Sequence, residues 1–189
     1  EWGRLCQGLG ADSKMPKGTD TMFFLRRKDI PRGRKPTYLR IVCAFRPEKE
    51  NPRCIRFTCG GDKIDYPGEV STKTCDLVTV KVLINSTLST LFARFMVGDL
   101  KDFYLGTPMD RYEYMRIPVW AIPDFIMHHY NLHDMVEDGF VCVEIRKGMY
   151  GLPQAGRIAN DRLTKFLEPH GYVPMDITPG LWKHKTRPI

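Results

Sequence analysis

Two strand patterns separated by a very short turn restrict the folds open to this chain more than any other feature. Branched and aromatic residues are frequent in "YLRIVCAFR" (38–46) and in "RCIRFT" (53–58), and the intervening "PEKENP" (47–52) holds two prolines and several charges. A linker of this length predicts a β-hairpin, and strands joined by a hairpin are antiparallel neighbours. A doubly wound parallel sheet is therefore not expected.

Helix and strand patterns alternate along the rest of the chain. Apolar residues recur at helical spacing after Asp76, which can cap the first turn. The predicted elements are a helix at 76–93, strands at 94–99 and 112–118, a short helix at 124–130, a strand at 139–147, a helix at 157–171 and the start of a hairpin at 180–185. This order predicts an α+β fold with an antiparallel sheet and flanking helices.

The positive charge is concentrated at the N-terminal end. Residues 1–58 contain 14 Lys and Arg against 6 Asp and Glu, whereas residues 59–189 contain 15 against 16. The densest patch is "RRKDIPRGRK" (26–35), in a segment rich in Gly and Pro that we interpret as an extended arm. Such an arm is typical of binding to a polyanion such as nucleic acid, and charge alone does not distinguish this from a solvated tail.

The sequence contains neither a membrane-span pattern nor a secretion pattern. No run reaches the roughly 18 to 20 apolar residues that a transmembrane helix needs. The N-terminal "EWGRLCQGLG" lacks the basic and then apolar order of a signal peptide, and it lacks an initiator Met. We therefore expect an intracellular chain that does not contact a membrane and that is a fragment of a longer protein.

Asp99 is the first candidate for chemistry. It closes the apolar run "FMVG" and is followed by Asp102, Phe103 and Tyr104. Capping a turn or a helix is the commoner role of such an aspartate. The alternative is a metal ligand, because Mg²⁺ is bound through one or two carboxylates together with substrate phosphates.

The segment "YGLPQAG" (150–156) is the second candidate. It is either a simple Gly/Pro turn between a strand and a helix or a ligand site. Gln154 and Arg157 would donate hydrogen bonds there, and the N-terminus of the helix favours anions.

These segments resemble the reverse transcriptases of copia-type (Ty1/copia) retrotransposons. That family carries an Asp-x-Lys-x-x-Phe-Leu-Asn-Gly segment and then a Tyr-Gly-Leu-x-Gln-Ala segment, which match "VGDLKDFYLGTPMDRYEYMRIP" (97–118) and "VEIRKGMYGLPQAGRIANDRL" (143–163) in order. The upstream "RCIRFTCGGDKIDYPGEVSTKTCDLVTVKVLI" (53–84) resembles the family's fingers strand and the helix that follows it. Pro153 and Gly156 depart from the pattern, since many members have Lys and Pro at those places.

The resemblance implies a partial right-hand polymerase. The expected regions are a basic N-terminal arm at 1–36, fingers at 37–95, and a partial palm with the remaining fingers at 96–189. The family's third motif, a hairpin with two adjacent aspartates, is expected after this chain, because the sequence contains no Asp-Asp pair. We therefore expect a fragment of a Pol polyprotein that lacks two of three catalytic aspartates and does not polymerise alone.

The resemblance also implies roles for residues of the first motif. Asp99 would be a catalytic carboxylate and metal ligand, and the carbonyl of Leu100 a second metal oxygen. The ring of Tyr104 would lie under the sugar of the incoming nucleotide and exclude a ribose 2′-OH.

The other two segments supply the remaining expected contacts. Gln154 would support the nucleotide and the template, while Gly151 and Gly156 would let the backbone approach the substrate. Arg56 would lie along the triphosphate, although a solvated strand charge is its alternative, and Arg46 is a weaker candidate for a second phosphate contact.

The function implied by the resemblance is RNA-directed DNA polymerisation by two-metal nucleotidyl transfer. The implied cofactor is Mg²⁺, with Mn²⁺ as an alternative. The implied partners are an RNA or DNA template with primer, deoxynucleoside triphosphates and the downstream Pol segments, namely the rest of the palm and ribonuclease H. The expected location is a cytoplasmic particle or the nucleus.

Two other functions stay open at the level of sequence. The first is a non-enzymatic remnant that binds nucleic acid through the basic arm. The second is an unrelated metal-dependent phosphotransferase, which would need a second acid near Asp99, and the sequence offers no good candidate.

Overall fold

The computed structural model of this chain describes residues 1–6, 18–72 and 74–187. Its helices are α1 (Trp2–Leu5), α2 (Leu77–Ser89), α3 (Asp124–His129) and α4 (Ala155–Leu167). Its strands are β1 (Met22–Leu25), β2 (Thr37–Phe45), β3 (Arg53–Cys59), β4 (Pro108–Pro118), β5 (Phe140–Lys147), β6 (Tyr172–Pro174) and β7 (Trp182–His184).

Five of the strands form one mixed sheet in the order β1-β5-β4-β2-β3, and β6 pairs with β7 in a separate hairpin. Neighbours in the large sheet are antiparallel except β2 and β4, which run parallel through Thr37 with Met115 and Tyr38 with Arg116. The α+β class is confirmed. The prediction of an antiparallel sheet is wrong at the junction of β2 and β4, because the long connection through α2 returns β4 beside β2 in the same direction.

The predicted hairpin is confirmed. β2 and β3 pair from Leu39 with Cys59 to Phe45 with Arg53. Since β2 pairs with β4 only through its first two residues, most of the hairpin extends beyond the pairing with the rest of the sheet. Along its apolar face, side chains change from buried near the sheet (Phe57, 3% exposed) to exposed near the tip (Phe45, 70% exposed).

The core lies on β4 and β5. Val141, Val143 and Ile145 of β5 are fully buried, as the alternating pattern predicts. Met115 and Ile117 of β4 are also buried, and so are Ile126 and Leu132 from the region of α3. This core is the rigid support beneath the turns that follow β5.

The interpretation of an extended arm is wrong for residues 1–6 and 22–25, which belong to the fold, and residues 7–17 lie outside the described residues. α1 buries Trp2 and Leu5, and β1 pairs with β5 at the edge of the sheet. The ring of Trp2 packs against Phe24 of the edge strand β1 and Phe57 of the edge strand β3, with ring centroids 6.5 Å and 4.9 Å away. The sheet therefore curls around Trp2. Burial of these apolar side chains outweighs the local Gly and Pro content, which had indicated a loop.

The predicted helix at 76–93 is shorter, and the predicted strand at 94–99 is wrong. α2 ends at Ser89, and Asp76 caps it by accepting a hydrogen bond from the backbone of Thr79. Residues 94–99 are irregular and exposed. An apolar segment forms a strand only where a neighbour can satisfy its backbone groups, and within the described part of the chain no strand pairs with this one.

The C-terminal elements agree closely with the sequence patterns. α4 is followed by a short 3-10 turn that ends at Gly171, whose φ of +87° suits glycine. The segment predicted to begin a hairpin at 180–185 contains β7, which is instead the second strand of the hairpin formed with β6. Across the described ranges, no helix combines the length and the apolarity needed to span a bilayer.

Candidate nucleic-acid interface

The turn that follows β5 is fastened to the end of β3. The backbone N–H of Cys59 donates to the carbonyl of Tyr150 at 2.8 Å. Gly151 has a φ of +94°, and a Cβ atom at that position would lie 2.1 Å from the carbonyl oxygen of Cys59. Gly151 therefore lies against the backbone of β3, and the predicted approach of its backbone to a substrate stays a prediction.

Three side chains meet where this turn contacts the hairpin. The rings of Tyr150 and Tyr104 pack edge to face with their centroids 5.8 Å apart. The guanidinium of Arg56 lies over the Tyr150 ring at 4.7 Å, a cation–π contact. We call these three side chains the tyrosine platform.

The sequence around Tyr104 keeps its ring in place. The Tyr104 carbonyl accepts a hydrogen bond from Thr107 at 2.8 Å, and its ring contacts Phe103. A Cβ at Gly156 would lie 3.8 Å from the Tyr104 hydroxyl and 3.6 Å from Thr72 Oγ1. These are ordinary contact distances, so the fold itself would accommodate alanine at Gly156, and the predicted approach of its backbone to a substrate stays a prediction.

Gln154 lies four residues after the platform residue Tyr150 and is directed into the interior. It is fully buried, and its Nε2 donates to Oε1 of Glu113 at 3.1 Å. Glu113 is 4% exposed and forms an ion pair with Arg34 at 2.6 Å. A direct contact of Gln154 with a nucleotide stays a prediction that requires this side chain to leave its buried position.

The basic residues of the hairpin are divided between its two faces, and Arg40 shares a face with the platform residue Arg56. Val42 pairs with Arg56 and Arg40 with Thr58, so Arg40 and Arg56 share one face of β2 and β3. Arg53 pairs with Phe45 and belongs to the opposite, apolar face. Arg46 lies at the exposed tip, beyond the last strand pair, and its phosphate contact stays a prediction.

A cavity of about 380 Å³ lies between α4 and the hairpin of β6 and β7. Thr72 lines the cavity, and its Oγ1 would lie 3.6 Å from a Cβ added at Gly156. Arg157 lines the cavity and is held by Asp161 and Glu69, each at 2.9 Å, and the hydrogen bond to Asp161 is the main cause of its raised pKa. The predicted ligand donor Arg157 is thus engaged by two carboxylates.

Asp99 and Leu100 lie in the exposed irregular segment that follows α2, not at the end of a buried strand. In the ranges that the structure describes, no group of three or more His, Cys, Asp or Glu side chains is arranged to hold a metal ion. The roles of Asp99 and Leu100 as metal ligands stay predictions.

Part of the charge in the patch at 26–35 is neutralised within the fold. Arg27 pairs with Asp138 at 2.8 Å and with Glu137 at 3.3 Å. Arg34 is directed inward to Glu113. Both contacts reduce the charge that the patch presents to a polyanion.

Sequence reasoning missed Tyr150, Glu113 and Arg34. The sequence did contain a signal for Glu113. Residues two apart on a strand point to the same face, so Glu113 lies on the face of the apolar Met115 and Ile117, which is expected to be buried. A buried carboxylate needs partners, but no local pattern identifies Arg34 or Gln154 as those partners.

Comparison with known proteins identified no relative. No family description, no curated protein and no solved structure matches this chain.

Proposed function

We propose that this chain is the nucleotide-recognising part of a copia-type RNA-directed DNA polymerase, comprising the fingers and the first part of the palm. The supporting observation is the tyrosine platform. Tyr104 comes from the first segment that resembles the family, Tyr150 from the second, and Arg56 from the fingers segment. Three segments that resemble one family separately thus contribute to a single surface.

The platform combines the two interactions that single-stranded nucleic acid or a nucleotide offers. Aromatic rings provide faces for bases or sugars, and guanidinium groups neutralise phosphates. Arg40 extends the charge along the same face of the hairpin. The expected ligands are a template with primer and deoxynucleoside triphosphates, recognised here by stacking and charge.

The chain by itself is proposed to bind nucleic acid without copying it. Asp99 would contribute one carboxylate to the metals of the intact enzyme, Mg²⁺ or Mn²⁺, and no step of nucleotidyl transfer is assigned to the described residues. The rest of the palm and ribonuclease H would come from further Pol segments, in a cytoplasmic particle or the nucleus.

Fluorescence anisotropy with a labelled single-stranded oligonucleotide, titrated at two salt concentrations, tests this proposal. Affinity should fall steeply with salt because phosphate contacts release counterions. Arg56→Gln should weaken binding and lower the salt slope by about one. Arg53→Gln is the matched control, since it removes the same charge from the same strand on the opposite face. Salt-independent binding, or equal effects of the two variants, would contradict the proposal.

Primer extension with Mg²⁺ tests the assignment to a polymerase. The chain alone should not extend a primer, whereas a longer natural chain that includes an Asp-Asp hairpin should do so and lose the activity with Asp99→Asn. In that longer chain, Tyr104→Ala should raise ribonucleotide incorporation and Tyr104→Phe should not, because the proposed exclusion is steric. Near-normal extension by Asp99→Asn would remove its metal role.

A non-enzymatic protein that binds nucleic acid through its basic N-terminal segment is the second candidate. The exposed Arg26 and Lys28 favour it. Deleting residues 1–36 cannot test it, because Trp2 and Met22 belong to the core. The double substitution Arg26→Gln with Lys28→Gln should reduce affinity more than Arg56→Gln if this segment, and not the platform, is the binding surface.

A further inference from the structure

A buried ion cluster around Glu113 is connected through Gln154 to the turn that carries Tyr150. The carboxylate of Glu113 accepts from Arg34 Nη2 at 2.6 Å and from Gln154 Nε2 at 3.1 Å, and Arg111 Nε lies 3.6 Å away. Arg34 also donates to the backbone carbonyl of Tyr112 at 2.5 Å. These contacts balance the negative charge of the buried Glu113 carboxylate and satisfy its hydrogen-bond acceptors in place of water.

Gln154 connects this cluster to the tyrosine platform. It is the residue that precedes α4, and its carbonyl accepts the hydrogen bond from Ile158 that begins the helix. The turn 149–153 between Gln154 and β5 is held on its other side by Cys59, which donates to the carbonyl of Tyr150. The turn that carries Tyr150 is therefore held at two points. The Tyr150 carbonyl is bonded to Cys59 at the end of β3, and the Gln154 side chain is bonded to Glu113 on β4.

The charge of Glu113 fixes which way the Gln154 amide faces. An ionised carboxylate only accepts hydrogen bonds, so the NH₂ group of Gln154 must face it and the amide oxygen must face away. That oxygen is buried and accepts no hydrogen bond from the residues that the structure describes. The orientation of Gln154 thus depends on Glu113, since nothing described holds its other end.

We propose that Glu113, itself held by Arg34, is a positioning residue that acts through Gln154 to hold the Tyr150 ring between Arg56 and Tyr104, where it can stack on a base. The use of the ring in stacking rests on the proposed function. The placement of the ring does not, and the two parts are tested by separate measurements.

Fluorine NMR of the chain labelled with 3-fluorotyrosine tests the placement. The Tyr150 resonance is identified by its absence in Tyr150→Phe. Glu113→Gln should shift or broaden it, because glutamine can accept either orientation of the Gln154 amide. Glu144→Gln is the matched control on the neighbouring strand: Glu144 accepts a hydrogen bond from the hydroxyl of Tyr114, so that variant should move the Tyr114 resonance and leave Tyr150 unchanged.

Gln154→Met provides a second route to the same test. It preserves the side-chain length, removes the amide and should change the Tyr150 resonance as Glu113→Gln does. If either folded variant leaves both the position and the width of the Tyr150 resonance unchanged, Glu113 does not position Tyr150 and the inference is overturned.

A double-mutant cycle tests stacking through Tyr150. With a single-stranded oligonucleotide, Glu113→Gln should lower affinity about tenfold, the order of one lost stacking contact. The same substitution should have almost no effect in a Tyr150→Ala background, whereas a general structural role would give equal losses in both. Equal losses overturn the role in binding. A wild-type chain that binds no oligonucleotide contradicts the proposed function, and the fluorine spectra then decide the positioning on their own.

Discussion

At the scale of single residues, Gly151 occupies a conformation and a space that suit only glycine. Its φ is +94°, and an added Cβ would meet the carbonyl of Cys59 at 2.1 Å. Gly33 has a similar φ of +83°, but an added Cβ there would meet nothing within 4 Å. Substitution of Gly33 by alanine would therefore introduce backbone strain alone, whereas the same substitution at Gly151 would add steric overlap.

Gly33→Ala should lower the free energy of unfolding by about 1–2 kcal/mol, the usual cost of a left-handed residue with a Cβ. Gly151→Ala should lower it by more than that, because the backbone of β3 must also move away from the turn. Urea denaturation of both variants measures the difference. Equal losses would mean that the turn and β3 are not in the close contact described.

Two buried thiols make the stability of the fold sensitive to alkaline pH. Burial raises the pKa of Cys6 and of Cys59 to about 12, from an ordinary value of 9.0. Their contribution to stability is complete below pH 9, where both states are protonated, and is lost as the pH rises towards 12, because only the unfolded chain ionises readily.

The free energy of unfolding should therefore fall between pH 8 and about 10.5, and the decrease should be smaller in the double variant Cys6→Ala with Cys59→Ala. Cys43→Ala, at an exposed position of the hairpin, should retain the wild-type pH dependence. Urea titrations at the two pH values make the comparison. An unchanged slope in the double variant would contradict the role of the buried thiols.

At the scale of elements, α2 depends on its cap more than on packing. No residue of this helix is buried. The Asp76 carboxylate accepts hydrogen bonds from the backbone N–H and the hydroxyl of Thr79, and the backbone bond is the main cause of its lowered pKa. A helix of this length is marginal in water without tertiary contacts, so loss of the cap should affect α2 locally.

Asp76→Ala should accelerate amide hydrogen exchange several-fold within Leu77–Ser89 and leave exchange in β5 unchanged. Asp76→Asn should retain most of the protection, because asparagine also caps helices well. Exchange measured by mass spectrometry gives both results. A uniform acceleration across the whole chain would show instead that α2 belongs to the global folding unit.

At the scale of the whole molecule, α2 and the residues after it carry a run of exposed large apolar side chains. Val82, Leu88, Phe92 and Val97 are all exposed by 60% or more. Clustered exposed apolar side chains are typical of a surface that another element or chain covers. The proposed polymerase would supply such elements from its remaining palm.

The double substitution Val82→Gln with Leu88→Gln should reduce the binding of a fluorescent apolar dye and change the free energy of unfolding by only about 0.5 kcal/mol. Ile145→Ala, in the core, should cost about 2–5 kcal/mol. Dye titration and urea denaturation test the two effects together. A loss of stability near that of Ile145→Ala would mean that α2 is buried in solution.

The elements that the sequence by itself determined are those governed by short-range chemistry. The hairpin at 37–59, the buried alternation of β5, the Asp76 cap and the end at Gly171 follow from turn residues, side-chain period and capping. The resemblance singled out Arg56 and Tyr104 one by one, and the structure places both in the tyrosine platform.

Tertiary structure alone decided how these elements combine. The parallel junction of β2 with β4, the packing of Trp2 in the core and the irregular course of 94–99 depend on which surfaces meet across long stretches of chain, and no local pattern encodes that. The same is true of Gln154, whose position in a turn indicated a ligand contact but whose amide faces Glu113. A polar side chain in a turn is buried or exposed according to the partner that tertiary packing brings to it, and here that partner lies 41 residues away.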